Sequence, residues 1–354
     1  MLDSPVRAVS VHGLCAGARA RAESRFRVQA GNRSMKTALV FPGQGSQAVG
    51  MGKELAKEFP IAKEVFDRVD AALSQNLSEL MFEGPETELT LTANAQPALM
   101  AASIAALKVL ESEKGFNAHR QAAYVAGHSL GEYSALCAAD SLTLEDAARL
   151  LRLRGEAMQK AVPVGEGAMA AVLGLELGVA VKIATQAASD LYLTGAICQV
   201  ANDNGAGQVV ISGTTAAVER AMELAKLAGA KRALRLPVSA PFHCALMQPA
   251  QEAMEEALKG VTILPPKPPL VGNVEAKAVA DPEAIRSGLV AQVTATVRWR
   301  ESVAYMSAHG VMRFIELGAG KVLTGLIKRI AEGVTAISVG SPADIAALSA
   351  SAKP

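Results

Sequence analysis

The chain has 354 residues, half of them hydrophobic, enough to bury the core of one large domain or of a large and a small one. Lysine and arginine number 35 against 34 aspartates and glutamates, so the formal charge of +1 argues against a broad field for nucleic acid or membrane, although a local basic patch is compatible with it. The four cysteines, Cys15, Cys137, Cys198 and Cys244, have neither disulfide nor zinc spacing, which suits a reducing compartment and calls for no metal.

Residues 1–34 carry six arginines against Asp3 and Glu23 and lack an apolar h-region, so they are not a secretory signal. They read either as an organelle transit peptide or as a disordered or non-native leader, with Met35 as the true start. "KTALVF" at 36–41 then reads as a buried strand ending in the Gly-rich turn "PGQGSQ". Helices are expected over about 47–59, 61–74 and 95–112. The uncharged run from Leu89 to Leu107 contains Asn94, Gln96 and Pro97; it reads as a buried helix with a polar entrance, since a membrane span needs about 20 predominantly apolar residues. "AAYVAG" at 122–127 is a second buried strand, followed by a helix from about Ser129. Thr143 and Asp146 resemble a cap with an acid in the first turn of a helix running to about Lys160.

From about 163 to 237 the rhythm changes to βαββαβ: "GAMAAVLG", a helix at 176–189, "AICQVAN", the turn "NDNGAG", "QVVISG", a helix at 215–229 and "RALRL". That order is the ferredoxin-like pattern. Beyond it come a helix near 246–258, the stiff "PPKPP", a strand at "PLVGNV", helices near 282–292 and 300–309, the strand "VMRFIEL" and a last helix from about Lys321. Strands alternating with helices predict an α/β fold with a mostly parallel sheet. The expected organisation is a large domain over 35–162 and 238–340, a ferredoxin-like insert at 163–237, and a tail at 341–354.

Gly127-His128-Ser129-Leu130-Gly131 fits G-x-S-x-G, with a strand before it and a helix after it. At such an elbow the serine hydroxyl projects at a helix N-terminus, where backbone N–H groups favour developing negative charge. An ordinary helix cap is the alternative reading of Ser129. A nucleophilic serine needs a base. His12 lies in the leader, His119 in a polar loop and His309 at a helix end. His128 adjoins the serine, and its side chain should face away. His243, in the loop "VSAPFHCALM", is left as the candidate base, against the alternative of a packed histidine. No acid stands out as its partner, so a Ser–His dyad is expected.

On the helix "EDAARLLRLRGEAMQKAV", Arg154 falls in the middle of the apolar stripe of Ala147, Leu150, Leu151 and Met158, with no acid three or four residues away. Either it snorkels or meets a distant acid, or its partner is a substrate carboxylate held by the guanidinium fork. The rival reading of Gly43-x-Gly45-x-x-Ala48 as a dinucleotide fingerprint needs a strand ending in an acid about 20 residues on, where the pattern is helical. The turn can instead offer the N–H of Gln44 to an oxyanion.

Together, "FPGQGSQ", "GHSLGEYSAL", "RGEAMQ", "NDNGAGQVVISG", "PFHCALM" and "GKVLTGLIKR", in this order, make the chain resemble the malonyl-CoA:acyl carrier protein transacylases of fatty-acid synthesis, from about Met35 to the region of Ile337. The resemblance implies a hydrolase-like large domain with the ferredoxin-like insert. It makes Ser129 the nucleophile, His243 the base and Arg154 the receptor of the malonyl carboxylate. It gives the oxyanion hole to the N–H groups of Gln44 and Leu130, and the orientation of the histidine to the main-chain carbonyl of Gln292. His128 and Phe242 join the substrate-binding set. Phe242 stands where several bacterial members carry a smaller residue, which favours malonyl over branched units, and Ala319 replaces a more usual proline. Malonyl-CoA and a phosphopantetheinylated acyl carrier protein are the implied partners, without cofactor or metal, in a cytoplasmic monomer (or an organelle, if the leader is a transit peptide). Lys321, Lys328 and Arg329 are candidates for a basic carrier-docking surface. A hydrolase releasing the acyl group to water and a non-catalytic acyl-binding protein are the competing functions.

Overall fold

The structure, a computed structural model, describes Met1, residues 36–238 and residues 240–348. Apart from Met1 the leader lies outside the described residues, as do residues 349–354. The strands are, in chain order, β1 (Lys36–Phe41), β2 (Ala122–Gly127), β3 (Gly167–Leu173), β4 (Cys198–Asp203) and β5 (Gln208–Thr214). They continue with β6 (Arg232–Arg235), β7 (Leu270–Val271), β8 (Ala278–Val279), β9 (Val311–Leu317) and β10 (Thr335–Val339).

β1 and β2 are apolar runs because both faces of their sheet are covered. Successive side chains of β1 point to opposite sides: Leu39 and Phe41 join the larger core, Ala38 and Val40 a second core on the other face. The sheet runs β10-β9-β1-β2-β7-β8 and is parallel except for the β7–β8 pair. In register, Leu39 pairs with Val125 on one side and Ile315 on the other. β1 and β2 thus lie at the centre, and their carboxyl ends, Phe41 and Gly127, end side by side. Such ends are where open α/β sheets carry their sites.

The larger core is closed by the helices Pro60–Leu73, Thr92–Lys114 and Leu144–Ala161. Thr92–Lys114 is buried nearly all round over its first sixteen residues, which explains why that stretch carries no charge. Thr143 caps Leu144–Ala161 as expected, accepting from Asp146 N at 3.0 Å.

The second sheet is antiparallel, in the order β4-β5-β3-β6, with the helices Leu177–Asp190 and Thr215–Leu227 packed on one core through Ile183, Ala187, Ala217 and Ala221. This is the ferredoxin-like arrangement. Its strand β4 is stitched to the segment leading into the helix Trp299–Ala308: Asp203 N donates to Val297 O (3.0 Å), and Val297 N to Ala201 O (2.8 Å).

Three expectations need correction. The first helix starts at Lys53 rather than 47, because Gly50 and Gly52 hold φ values of 94° and 79° that keep the preceding segment in turns. Short helices Leu77–Glu83 and Glu86–Leu89 follow unforeseen. Helix Val322–Ile330 is not the last element: β10 completes the sheet edge, and helix Pro342–Leu348 sends Ile345 and Leu348 into the larger core. The segment read as a tail therefore begins as part of the packed structure. β10 escaped periodicity because it is short and polar Thr335 and Ser338 interrupt its apolar run.

Candidate active site

The turn from β2 into the helix Gly131–Ala138 is as tight as a backbone allows. A Cβ at Gly127 would sit 1.9 Å from the Gly131 carbonyl, and one at Gly131 would sit 2.3 Å from Phe41 O. Neither position can carry a side chain, which is the physical content of the G-x-S-x-G spacing. Between them Ser129 is held at φ 54°, in the left-handed region a serine rarely adopts. Asn273 pins this conformation from the loop after β7: its Oδ1 accepts from Ser129 N at 2.8 Å, and its Nδ2 donates to Gly127 O at 2.7 Å.

The serine hydroxyl does not cap the helix. The N-cap position is Leu130, without a side-chain bond. Ser129 Oγ instead lies 2.8 Å from His243 Nε2 and accepts from Arg154 Nη2 at 3.1 Å. His243 is buried, and its Nδ1 lies 2.8 Å from the main-chain oxygen of Gln292. A carbonyl acceptor at Nδ1 fixes the proton there and leaves Nε2 as the acceptor facing the serine. Burial, and next the Arg154 charge, push the imidazole down to about 3, against the raising effect of that carbonyl bond. The ring is therefore neutral at physiological pH, the form a base requires.

Arg154 is 1 % exposed, so it does not snorkel. Its Nη1 donates to Gln96 Oε1 and its Nη2 to Gln292 Oε1, both at 2.8 Å, and its Cζ lies 5.8 Å from the centre of the Tyr133 ring. These bonded partners are all uncharged, and Nε has no partner at all among the described residues. Burial lowers its pKa, with Tyr133 and Glu132 opposing. A buried guanidinium with a spare donor is poised for an anion.

These groups border a cleft of about 400 Å³. Gln44 and Leu130 line it, and among the described residues neither main-chain N–H donates to an acceptor, so both are open to an oxyanion. Phe242 lines the cleft with Met158 and Met169 as its apolar wall. His128 borders it too, but its Nε2 bonds Asn204 Oδ1 at 2.9 Å and its ring leans on Trp299, so its side chain is committed away from the serine, as expected. The region after β1 is helical from Lys53 to Leu73, broken only at Phe59, and lacks the strand a dinucleotide site requires. Among the described residues no cluster of potential metal ligands occurs.

Residues 38–346 match the acyl transferase domain family. The malonyl CoA-acyl carrier protein transacylases of Bacillus subtilis (strain 168) and Escherichia coli (strain K12) are each 47 % identical to this chain over 310 residues, covering 88 % of it and 95 % and 97 % of theirs. The chain is a member of the malonyl-CoA:acyl carrier protein transacylase family. The crystal structure of the acyl-carrier-protein-S-malonyltransferase from Bartonella henselae shares 54 % identity at a TM-score of 0.85, covering 89 % of this chain and 98 % of that one. A type II PKS acyl-carrier protein in complex with its malonyl-transacylase gives 44 % identity and a TM-score of 0.83, over 88 % of this chain and 98 % of that one.

Within this family framework, Ser129, His243, Arg154 and Gln292 converge, with Gln44, Leu130, His128 and Phe242 around them. Sequence reasoning missed Gln96, Asn273 and Glu132. The amide of Gln96 inside an apolar run was the one available signal; nothing in "PLVGNV" marks Asn273 as the brace of a turn 144 residues earlier.

Proposed function

We propose that the chain moves a malonyl group from malonyl-CoA to the phosphopantetheine thiol of acyl carrier protein through an ester on Ser129, supplying fatty-acid synthesis. The observation that carries this reading is the convergence of a neutral imidazole (2.8 Å) and a buried guanidinium (3.1 Å) on one serine oxygen. The names of the relatives support the substrate pair.

In the first half-reaction His243 Nε2 takes the hydroxyl proton as Ser129 Oγ attacks the thioester carbonyl carbon. The oxyanion settles against the N–H groups of Gln44 and Leu130; one such donor is worth about 3 kcal/mol. The C–S bond breaks, and the thiolate of coenzyme A leaves with the proton from His243. In the second half, His243 takes the proton of the carrier thiol, the sulfur attacks the malonyl ester carbon, and the bond from that carbon to Ser129 Oγ breaks as the oxygen takes the proton back from His243. Gln292 O accepts from Nδ1 and so holds the imidazole's tautomer and aim through both half-reactions. Arg154 receives the free carboxylate through its guanidinium, the contact to Ser129 Oγ giving way once that oxygen is esterified.

The same reading gives residues 163–237 as an inserted domain, places the enzyme in the cytoplasm as a monomer, and keeps Lys321, Lys328 and Arg329 as carrier-docking candidates. Among the described residues no helix is long and apolar enough to cross a membrane. The test is incubation with malonyl-CoA with and without carrier protein. Malonyl transfer to the carrier, with little free malonate, is expected; malonate release indifferent to the carrier would make the protein a hydrolase, and absence of any acyl-enzyme a binding protein.

A further inference from the structure

The transfer chemistry uses Gln292 only through its main-chain oxygen, yet its side chain is engaged on both edges. Nε2 donates to Glu132 Oε2 at 2.6 Å and to Ser129 O at 3.0 Å, with Asn273 Oδ1 at 3.4 Å, while Oε1 accepts from Arg154 Nη2 at 2.8 Å. Acceptors on one side and a donor-only guanidinium on the other leave this amide a single orientation. The shortest of these bonds goes to Glu132, which is 2 % exposed and also accepts from Asn273 N at 3.3 Å. No step of the transfer calls for an acid at this point, and a carboxyl is expensive to bury.

We propose that Glu132 is a positioning residue for the acyl carboxylate: by holding the Gln292 amide with Oε1 toward Arg154, it fixes the guanidinium in the plane that meets the malonyl group. This rests on Arg154 being the carboxylate receptor. Without Glu132, Nε2 keeps only Ser129 O and the longer contact to Asn273 Oδ1, so the amide is held less tightly and Arg154 loses the firm placement of one of the two amide oxygens that orient it. Burial, and next the neighbouring Glu275, push the Glu132 carboxyl up to about 8. The role survives either protonation state, because a carboxyl's carbonyl oxygen still accepts from Nε2.

The test measures initial rates of acyl-serine formation from malonyl-CoA and from acetyl-CoA on the full chain. Glu132→Met should slow malonyl loading about tenfold more than acetyl loading, a coupling within the range of residues in one hydrogen-bond network. Glu132→Gln, whose Oε1 can accept the same bond, should hold the malonyl-to-acetyl ratio within about threefold of wild type. In an Arg154→Ala background Glu132→Met should not change the ratio further. Equal losses for both acyl groups, an unchanged ratio, or a further change without Arg154 overturns the proposal. Should Glu132→Met not fold, Gln292→Met, which keeps the carbonyl at His243, replaces it with the same selective loss expected and the same equal loss fatal. Failure of the underlying reading looks different: Arg154→Ala alone would then show no preference between the two acyl groups.

Discussion

In the proposed mechanism Ser129 Oγ, a poor nucleophile in water, is activated by His243 with no carboxylate behind the ring. His243 is kept neutral by burial and by the Arg154 charge, and aimed by the Gln292 carbonyl. The sign of the shift makes a prediction. With the imidazole pushed down to about 3, the base stays unprotonated as pH falls through 6.5, where a free histidine would gain its proton. The rate of malonyl loading should therefore show no acid limb near pH 6.5 in a stopped-flow profile; a limb there would mean an exposed, unperturbed base. The same shift destabilises the fold in acid, since the unfolded chain takes up this proton from about 6.5 downward while the native site resists it. Arg154 makes the second residue-scale prediction. A hydrogen bond to a charged group is worth about 1.5–3 kcal/mol, so Arg154→Ala should cut malonyl loading about a hundredfold and acetyl loading far less. Equal losses would remove the carboxylate clamp.

At the scale of elements, the elbow is made by what is missing at two positions. The 1.9 Å approach at Gly127 leaves no place for a methyl group without moving the Gly131–Ala138 helix off β2. Gly127→Ala should abolish acyl-serine formation and lower the melting temperature by several degrees, consistent with a loss of more than about 1 kcal/mol. A variant that loads malonyl normally would show that the turn is not sterically closed. This local logic was legible in the sequence because a strand, two glycines and a helix lie within one continuous stretch. Arg154 was legible for a similar reason, as a charge misplaced on an apolar stripe. The Gln292 contact was not: its carbonyl could be assigned only through family resemblance, since a main-chain acceptor carries no side-chain signature. Gln96, Glu132 and Asn273 escaped because their meaning depends on partners 58, 160 and 144 residues away.

At the scale of the molecule, two sheets meet at the reactive serine. The parallel sheet supplies the elbow at the end of β2, and the β6-to-helix connection beyond the small sheet supplies His243. The small domain also reaches the elbow, through Asn204 just past β4 on His128, and β4 is tied to the helix Trp299–Ala308 by the Asp203–Arg300 ion pair at 2.8 Å. The alternating rhythm of strands and helices gave away both sheets in advance, whereas β10 and the helix Pro342–Leu348 were too short to register despite packing on the larger core. The central claim is that one oxygen in this assembly carries the acyl group. Intact-mass measurement after mixing with malonyl-CoA, followed by peptide mapping, tests it most directly. A single malonyl adduct is expected on the peptide bearing Ser129, and none on Ser129→Ala. An adduct that survives in Ser129→Ala, or maps to another residue, would contradict it.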